Sequence, residues 1–256
     1  MTQAPPYPGG HQLLAGKTVL VTAAAGTGIG FATAKRCAEE GAAVAISDRH
    51  ERRLAESAER LAEVMGREPI AVPCDVTRED DVQRMFDTVG GFDVLVNNAG
   101  LGGTAALADM TDEQWDAVVG VTLTGTMRCT REALRRLRAA GSGGAIVNNA
   151  SVIGWRAQEG QAHYAAAKAG VMALTRCAAV EAAAYGVRVN AVAPSLAMHE
   201  NLAKVTTDEL LAELTAREAF GRAAEPWEVA NVIVFLASDY ASYLTGEVIS
   251  VSSQHP

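Results

Sequence analysis

The stretch TVLVTAAAGTGIG, from Thr18 to Gly30, decides how this chain is read. Thr18 to Val21 is a short apolar, β-branched run, and the Ala-rich segment from Ala32 to Glu40 has helical character. A strand therefore feeds a helix through a turn made of Gly26, Thr27, Gly28, Ile29 and Gly30. Glycines there let the backbone approach a pyrophosphate seated on the helix N-terminus, where free N–H groups and the dipole favour anions. The spacing departs from G-x-G-x-x-G because Phe31 occupies the last position. A tight strand-to-helix connection with no ligand would read the same way.

Working outward, the strand-then-helix unit recurs. Ala43 to Ser47 is a second strand ending at Asp48, about twenty positions beyond the glycines, where a carboxylate can accept from a ribose 2′-hydroxyl and repel a 2′-phosphate. NAD(H) is thereby favoured over NADP(H), a preference softened by Arg49 and His50. Asp48 also suits the N-cap of the helix that starts at Glu51. Ile70 to Cys74 is a third strand. Thr77, with an acidic residue three positions on, reads as the N-cap of a helix to Val89. Asp93 to Val96, a fourth strand, runs into Asn97-Asn98-Ala99-Gly100, small residues that suit close approach of a flat ring. Thr111 to about Ala140 carries one long helical pattern, with Arg131, Arg135, Arg136 and Arg138 as a solvated face. Ala145 to Asn149, Val187 to Val192 and Gly246 to Val251 complete the strands. Such alternation predicts an α/β fold: a doubly wound, Rossmann-like parallel sheet of about seven strands with helices on both faces.

Composition sets bounds. With 256 residues, 49% hydrophobic and 20% charged, the chain can bury one sizeable core, taken as a single domain over residues 13–256. Residues 1–12, rich in Pro and Gly, read as a flexible tail. A net charge of -8 excludes a nucleic-acid or anionic-membrane surface as partner. Cys37, Cys74, Cys129 and Cys177 have neither metal-ligand spacing nor a disulfide pattern, so no metal is expected. No apolar run is long enough to span a bilayer, which points to a cytoplasmic protein. Residues 195–221, mixed apolar and acidic, suit a substrate lid before the helix that Pro226 opens.

The chemistry concentrates in N-N-A-S-V-I-G-W-R-A-Q-E-G-Q-A-H-Y-A-A-A-K, from Asn148 to Lys168. Tyr164 and Lys168 are four apart, so in a helix they share a face. A nearby ammonium favours the phenolate of Tyr164, and a hydroxyl from Ser151 can hold a carbonyl oxygen within reach of its proton. That set suits alcohol–ketone interconversion if another group carries the hydride.

Ser151, Tyr164 thirteen positions on and Lys168 resemble the active-site signature of the short-chain dehydrogenase/reductase family, and the likeness runs from about Gly16 to Val251. The resemblance implies NAD(P)-dependent oxidation or reduction of a small molecule. Tyr164 would exchange the proton, Lys168 would lower its pKa and bind the ribose, and Ser151 would orient the substrate. It also implies that Asp75 and Val76 contact adenine, that Asn98, Ala99 and Gly100 lie below the cofactor, and that Pro194, Ser195 and Ala197 lie near the carboxamide. Departures stand out against it. The family's T-G-x-x-x-G-x-G aligns either on Gly28-Ile29-Gly30, with Ala23 and Ala24 at Thr and Gly, or on Thr22 with one residue too many. Thr122 occupies the position of a catalytic Asn, His199 that of a carboxamide-binding Thr, and Ser252-Ser253 that of D-G-G.

Among family members the chain looks like a subgroup tied to steroid ring catabolism, acting on a hydroxylated bicyclic indane-propionate or its CoA thioester. The alternatives are a 3-oxoacyl-thioester reductase and a dinucleotide-binding sensor without catalysis. Trp155 and Met198 suit a broad apolar pocket. The family implies a homotetramer or homodimer built through the two long helices.

Overall fold

The computed structural model describes residues 3–198 and 208–254. Seven parallel strands form one sheet: β1 (Thr18–Thr22), β2 (Ala43–Asp48), β3 (Ile70–Pro73), β4 (Val94–Asn97), β5 (Gly144–Asn149), β6 (Val187–Pro194) and β7 (Val248–Val251). Their order is β3-β2-β1-β4-β5-β6-β7. The chain builds outward from β1 to β3, then returns to lay β4 on the other side of β1. That reversal opens a crevice at the carboxyl ends of β1 and β4, where open α/β sheets take their ligands.

The helices are α1 (Ile29–Glu39), α2 (Glu51–Met65), α3 (Glu79–Val89), α4 (Asp112–Val119), α5 (Thr126–Ala140), α6 (Ala162–Ala182), α7 (Asp208–Ala216) and α8 (Pro226–Ala237). Side chains alternate across the sheet as the period of two requires. Val19, Val21, Val96 and Val147 face one core layer with Phe31 of α1, Leu61 of α2 and Ile233 of α8. Leu20, Leu95 and Ile146 face the opposite layer with Phe86 of α3, Leu137 of α5 and Ala179 of α6. Each fully buried aliphatic side chain contributes about 1.5–3 kcal/mol, so both faces of the predicted doubly wound sheet are apolar by necessity.

Four local expectations are corrected. Residues 3–12 are not a loose tail but lie along the end of α1: Tyr7 donates its hydroxyl to Glu39 at 2.6 Å and meets Trp227 edge-on at 5.3 Å. The N–H groups of His11 and Leu13 donate to Glu40, a buried carboxylate paired with Arg36 at 2.7 Å. The segment is held by polar groups on a buried ion pair, which its own sparse apolar content does not reveal. Thr77 does not cap α3, because its N–H and hydroxyl both donate to Asp75 at 2.9 and 2.7 Å. Arg131 and Arg136 do not simply face solvent; they reach Glu79 and Asp87 of α3 at 2.6 and 2.7 Å. The helical pattern from Thr111 to Ala140 is not uniform, since Gly120–Gly125 widen into a π-helix that carries the buried Thr122. His199 and the central part of the expected lid lie outside the described residues.

Candidate active site

β5 ends at Asn149, and the loop beyond it delivers Ser151 to the first turns of α6. Gly154 permits this: a β-carbon there would lie 2.7 Å from the Met172 methyl and 3.0 Å from the backbone of α6. Any other residue would lift the loop off the helix. Ser151 hydrogen-bonds to the Tyr164 phenol, and its Oγ also accepts from the Ile153 N–H at 3.3 Å. Lys168, one turn along α6, has Nζ 5.5 Å from the Tyr164 ring centroid and donates to the Asn149 carbonyl at 2.5 Å. His163 is buried beside them, and its Nδ1 accepts the Tyr164 backbone N–H at 2.9 Å, occupying a donor that the helix start would leave unpaired.

Burial raises the Tyr164 phenol above its ordinary pKa, and the opposing pull comes from the Ser151 hydrogen bond. The expectation that Lys168 would lower it is not met in this arrangement, where the ammonium is drawn to Asn149. Desolvation pushes Lys168 itself down to about 8. Burial thus favours the protonated phenol of Tyr164 and leaves the Lys168 ammonium beside it easier to deprotonate than a lysine in water.

Across the crevice, the glycine turn settles the two alignments left open by the sequence. Thr22 Oγ1 accepts from the N–H groups of Asn98 and Ala99 at 3.0 and 3.2 Å, tying the first turn to the strand end it faces. Ala23 then adopts φ of 50°, a left-handed conformation that glycine takes at no cost. Thr22 and Ala23 therefore stand for Thr-Gly, and the extra residue is absorbed downstream. There the Gly26 N–H donates to Ser57 at 3.0 Å and the Gly26 carbonyl accepts from Arg60 at 3.1 Å, so α2 supports the longer loop. Asp48 accepts from the Ala25 N–H at 3.3 Å and the His50 N–H at 3.0 Å; His50, not Asp48, is the N-cap of α2.

These features fit a dinucleotide. α1 has no side-chain cap and no acidic residue in its first turn, so its leading N–H groups are open to an anion. Gly30 brings α1 against the turn so closely that a β-carbon would sit 2.3 Å from the Ala23 carbonyl and 2.4 Å from Asn98 Nδ2. A cavity of about 270 Å³ joins the two sides, lined by Ile29, Ser151, Tyr164, Lys168, Pro194, Ser195 and Ala197 among others.

Other predicted residues are engaged with local partners. Thr122 closes its hydroxyl on Leu101, donating to the carbonyl at 3.2 Å and accepting the N–H at 3.0 Å. Asp75 is occupied by Thr77, and the Val76 side chain is buried against Gly125. Trp155 is exposed and, like Met198, does not line the cavity. Sequence reasoning missed Asn149, Arg156, Arg217 and Gln254, which do line it. Asn149 and Arg156 lie within the stretch that carries Ser151 and Tyr164, whereas Arg217 and Gln254 come from distant parts of the chain that no local pattern marks. Gln254 is held by the buried Glu218 at 2.7 Å, which also accepts from Ser253 at 2.7 Å.

The chain is similar to known proteins along nearly its whole length. A family model described as enoyl-(acyl carrier protein) reductase matches residues 23–253. The chain is 63% identical, over 100% of its length and 99% of the relative, to (5R,7aS)-5-hydroxy-7a-methyl-1-oxo-2,3,5,6,7,7a-hexahydro-1H-indene-carboxyl-CoA reductase of Mycobacterium tuberculosis. It is 44% identical, over 91% of its length and 94% of the relative, to cis-4-hydroxycyclohexanecarboxylate dehydrogenase of Sinomonas cyclohexanicum. Among solved structures, a short chain dehydrogenase from Mycobacterium smegmatis matches with a TM-score of 0.87 at 58% identity, covering 99% of both chains.

Proposed function

Because the chain belongs to the short-chain dehydrogenase/reductase family, and is an oxidoreductase working on a hydroxyl or ketone, we propose that it acts on a bicyclic indane-type acid carried as a CoA thioester. The observation that carries this reading is 63% identity along the whole chain with a reductase named for such a substrate. The second relative, named for a cyclic hydroxy acid, points to the same chemistry. Val152, Ile153, Leu196 and Leu214 offer the cavity apolar walls for fused rings, and Arg156, bonded to Gln254, and Arg217, ion-paired with Glu213, place guanidinium groups on its wall where an acyl-CoA arm could be met.

In this reading Ser151 orients the substrate oxygen. Tyr164 gives it a proton during reduction and takes one back during oxidation, and Lys168 holds positive charge beside the developing phenolate. The nicotinamide, when bound, supplies or takes up the hydride. The uncapped start of α1 receives the pyrophosphate, and Asp48 selects NAD(H) over NADP(H), since its carboxylate has acceptor capacity left beyond two backbone N–H groups. Thr122 supports the loop at Leu101 and takes no part in proton transfer. We assign the subunit contact to α4, α5 and α6, where Trp115 and Val180 are exposed.

Two measurements test the reading. A ligand at a hundredfold excess over its Kd stabilises the fold by about 2.7 kcal/mol, so thermal shifts with NAD(H) should exceed those with NADP(H), and Asp48→Ala should narrow the gap. A stabilisation by neither nucleotide would overturn the cofactor assignment. Turnover should then favour the hydroxy-indane carboxyl-CoA over a straight-chain 3-oxoacyl thioester; the reverse preference would overturn the bicyclic assignment.

A further inference from the structure

Asn149 has no role in the reading above, yet it touches both halves of the site. Its carbonyl oxygen accepts from Lys168 Nζ at 2.5 Å. Its Nδ2 donates to Asn98 Oδ1 at 2.9 Å, and Asn98 Nδ2 in turn donates to the Ala23 carbonyl at 3.0 Å, in the strained first residue of the glycine turn. The Asn98 backbone N–H closes the same turn through Thr22 Oγ1 at 3.0 Å. A continuous chain of hydrogen bonds thus runs from the ammonium beside Tyr164 to the loop at the start of α1.

The arrangement is costly. Among the described residues Asn149 Oδ1 is buried without a hydrogen-bond partner, and an unpaired buried acceptor costs stability. Its neighbours on the same face of β5, Ala145 and Val147, are apolar core residues, so a strand packed for stability alone would place an aliphatic side chain here. Thr122, which meets Lys168 across Gly100, has its hydroxyl engaged with both the N–H and the carbonyl of Leu101.

We propose that Asn149 is a positioning residue that couples the two half-sites: its carbonyl holds Lys168 in place while its carboxamide, through Asn98, fixes the glycine turn in the conformation that receives the cofactor. The inference rests on the assignment of a dinucleotide to that turn. Because the lysine contact is made by the main chain, side-chain substitution isolates the second function.

The test uses Asn149→Leu, which keeps the volume and removes the amide, with Asn149→Ala as a second variant that cannot overpack. Fluorescence titration with whichever of NADH and NADPH binds the wild type more tightly should show Kd raised about 2- to 10-fold in both, the range expected for one lost neutral hydrogen bond. Urea unfolding should show Asn149→Leu close to wild type in stability, because loss of the unpaired Asn149 oxygen is offset by leaving Asn98 Oδ1 without its donor. At saturating cofactor, kcat should change less than KM for the cofactor. In combination with Asn98→Ala the losses in affinity should be markedly less than multiplicative, as expected for residues acting through one contact. Cofactor affinity within twofold of wild type in the folded variants, or fully multiplicative losses with Asn98→Ala, would overturn the proposal while leaving the enzyme assignment standing. Failure of the wild type to bind either nucleotide would overturn both.

Discussion

Lys168 is 3% exposed, has a single carbonyl at 2.5 Å and has its pKa pushed down to about 8 from 10.5. Its folded pKa lies below its unfolded value, so between about 8 and 10.5 the unfolded chain binds more protons, and this residue's contribution to stability rises with pH across that window. At pH 7 the buried charge is a burden. Lys168→Met should therefore stabilise the ligand-free protein by at most about 3 kcal/mol at neutral pH, with the gain shrinking above pH 8 in urea titrations. The same titration bears on turnover. Ketone reduction needs a proton on Tyr164 and charge on Lys168, so kcat/KM for reduction should be level below pH 8 and fall above it. Tyr164→Phe removes the proton donor and should lower kcat by about 100-fold or more while leaving the dinucleotide titration unchanged. Retained turnover would mean that another group carries the proton. The pairing of Tyr164 with Lys168 was legible in their spacing; the direction of the tyrosine shift was not, because it depends on how densely residues from other elements surround the phenol.

At the scale of elements, the glycine turn is where pattern and structure part most clearly. Its glycines mark a strand-to-helix connection whatever its length. The conformation that accepts the extra residue depends on Ser57 and Arg60 of α2 and on Asn98 at the end of β4, none of them near it in sequence. Gly30→Ala should test how tightly this is built. The added β-carbon would meet backbone and amide atoms at 2.3 and 2.4 Å, so the variant should lose roughly 1–3 kcal/mol of stability and bind dinucleotide more weakly. Unchanged thermal shift with cofactor would show that the turn can relax without harm. The π-helix at Gly120–Gly125 belongs to the same class of feature: its residues read as ordinary helix, and in the fold it packs against α6 with Gly125 pressed close to Val76.

Over the whole molecule, the N-terminal segment adds a contact far from the reacting groups. Its His11 N–H supports the buried Glu40, whose charge is also met by the Leu13 N–H and by Arg36. Deleting residues 1–12 should cost about 1.5–3 kcal/mol in urea unfolding, the range for hydrogen bonds to a charged group, while kcat stays within about twofold. A truncated protein as stable as the full chain would return the segment to the status of a tail. What the sequence alone determined is everything that repeats locally: apolar runs of period two, helical stretches between them, and hence the parallel, doubly wound sheet with its ligand crevice at the strand ends. It also located Ser151, Tyr164 and Lys168, because one loop and one helix turn bring them together. Tertiary structure decided what converges from distant segments: the coupling of Asn149 to Asn98, the far wall of the cavity at Arg217 and Gln254, the closing of Thr122 on Leu101, and the docking of residues 3–12. The physical reason is that periodicity is written in neighbouring residues, whereas burial, hydrogen-bond partnership and the pKa shifts they cause are set by atoms that meet only once the sheet is assembled.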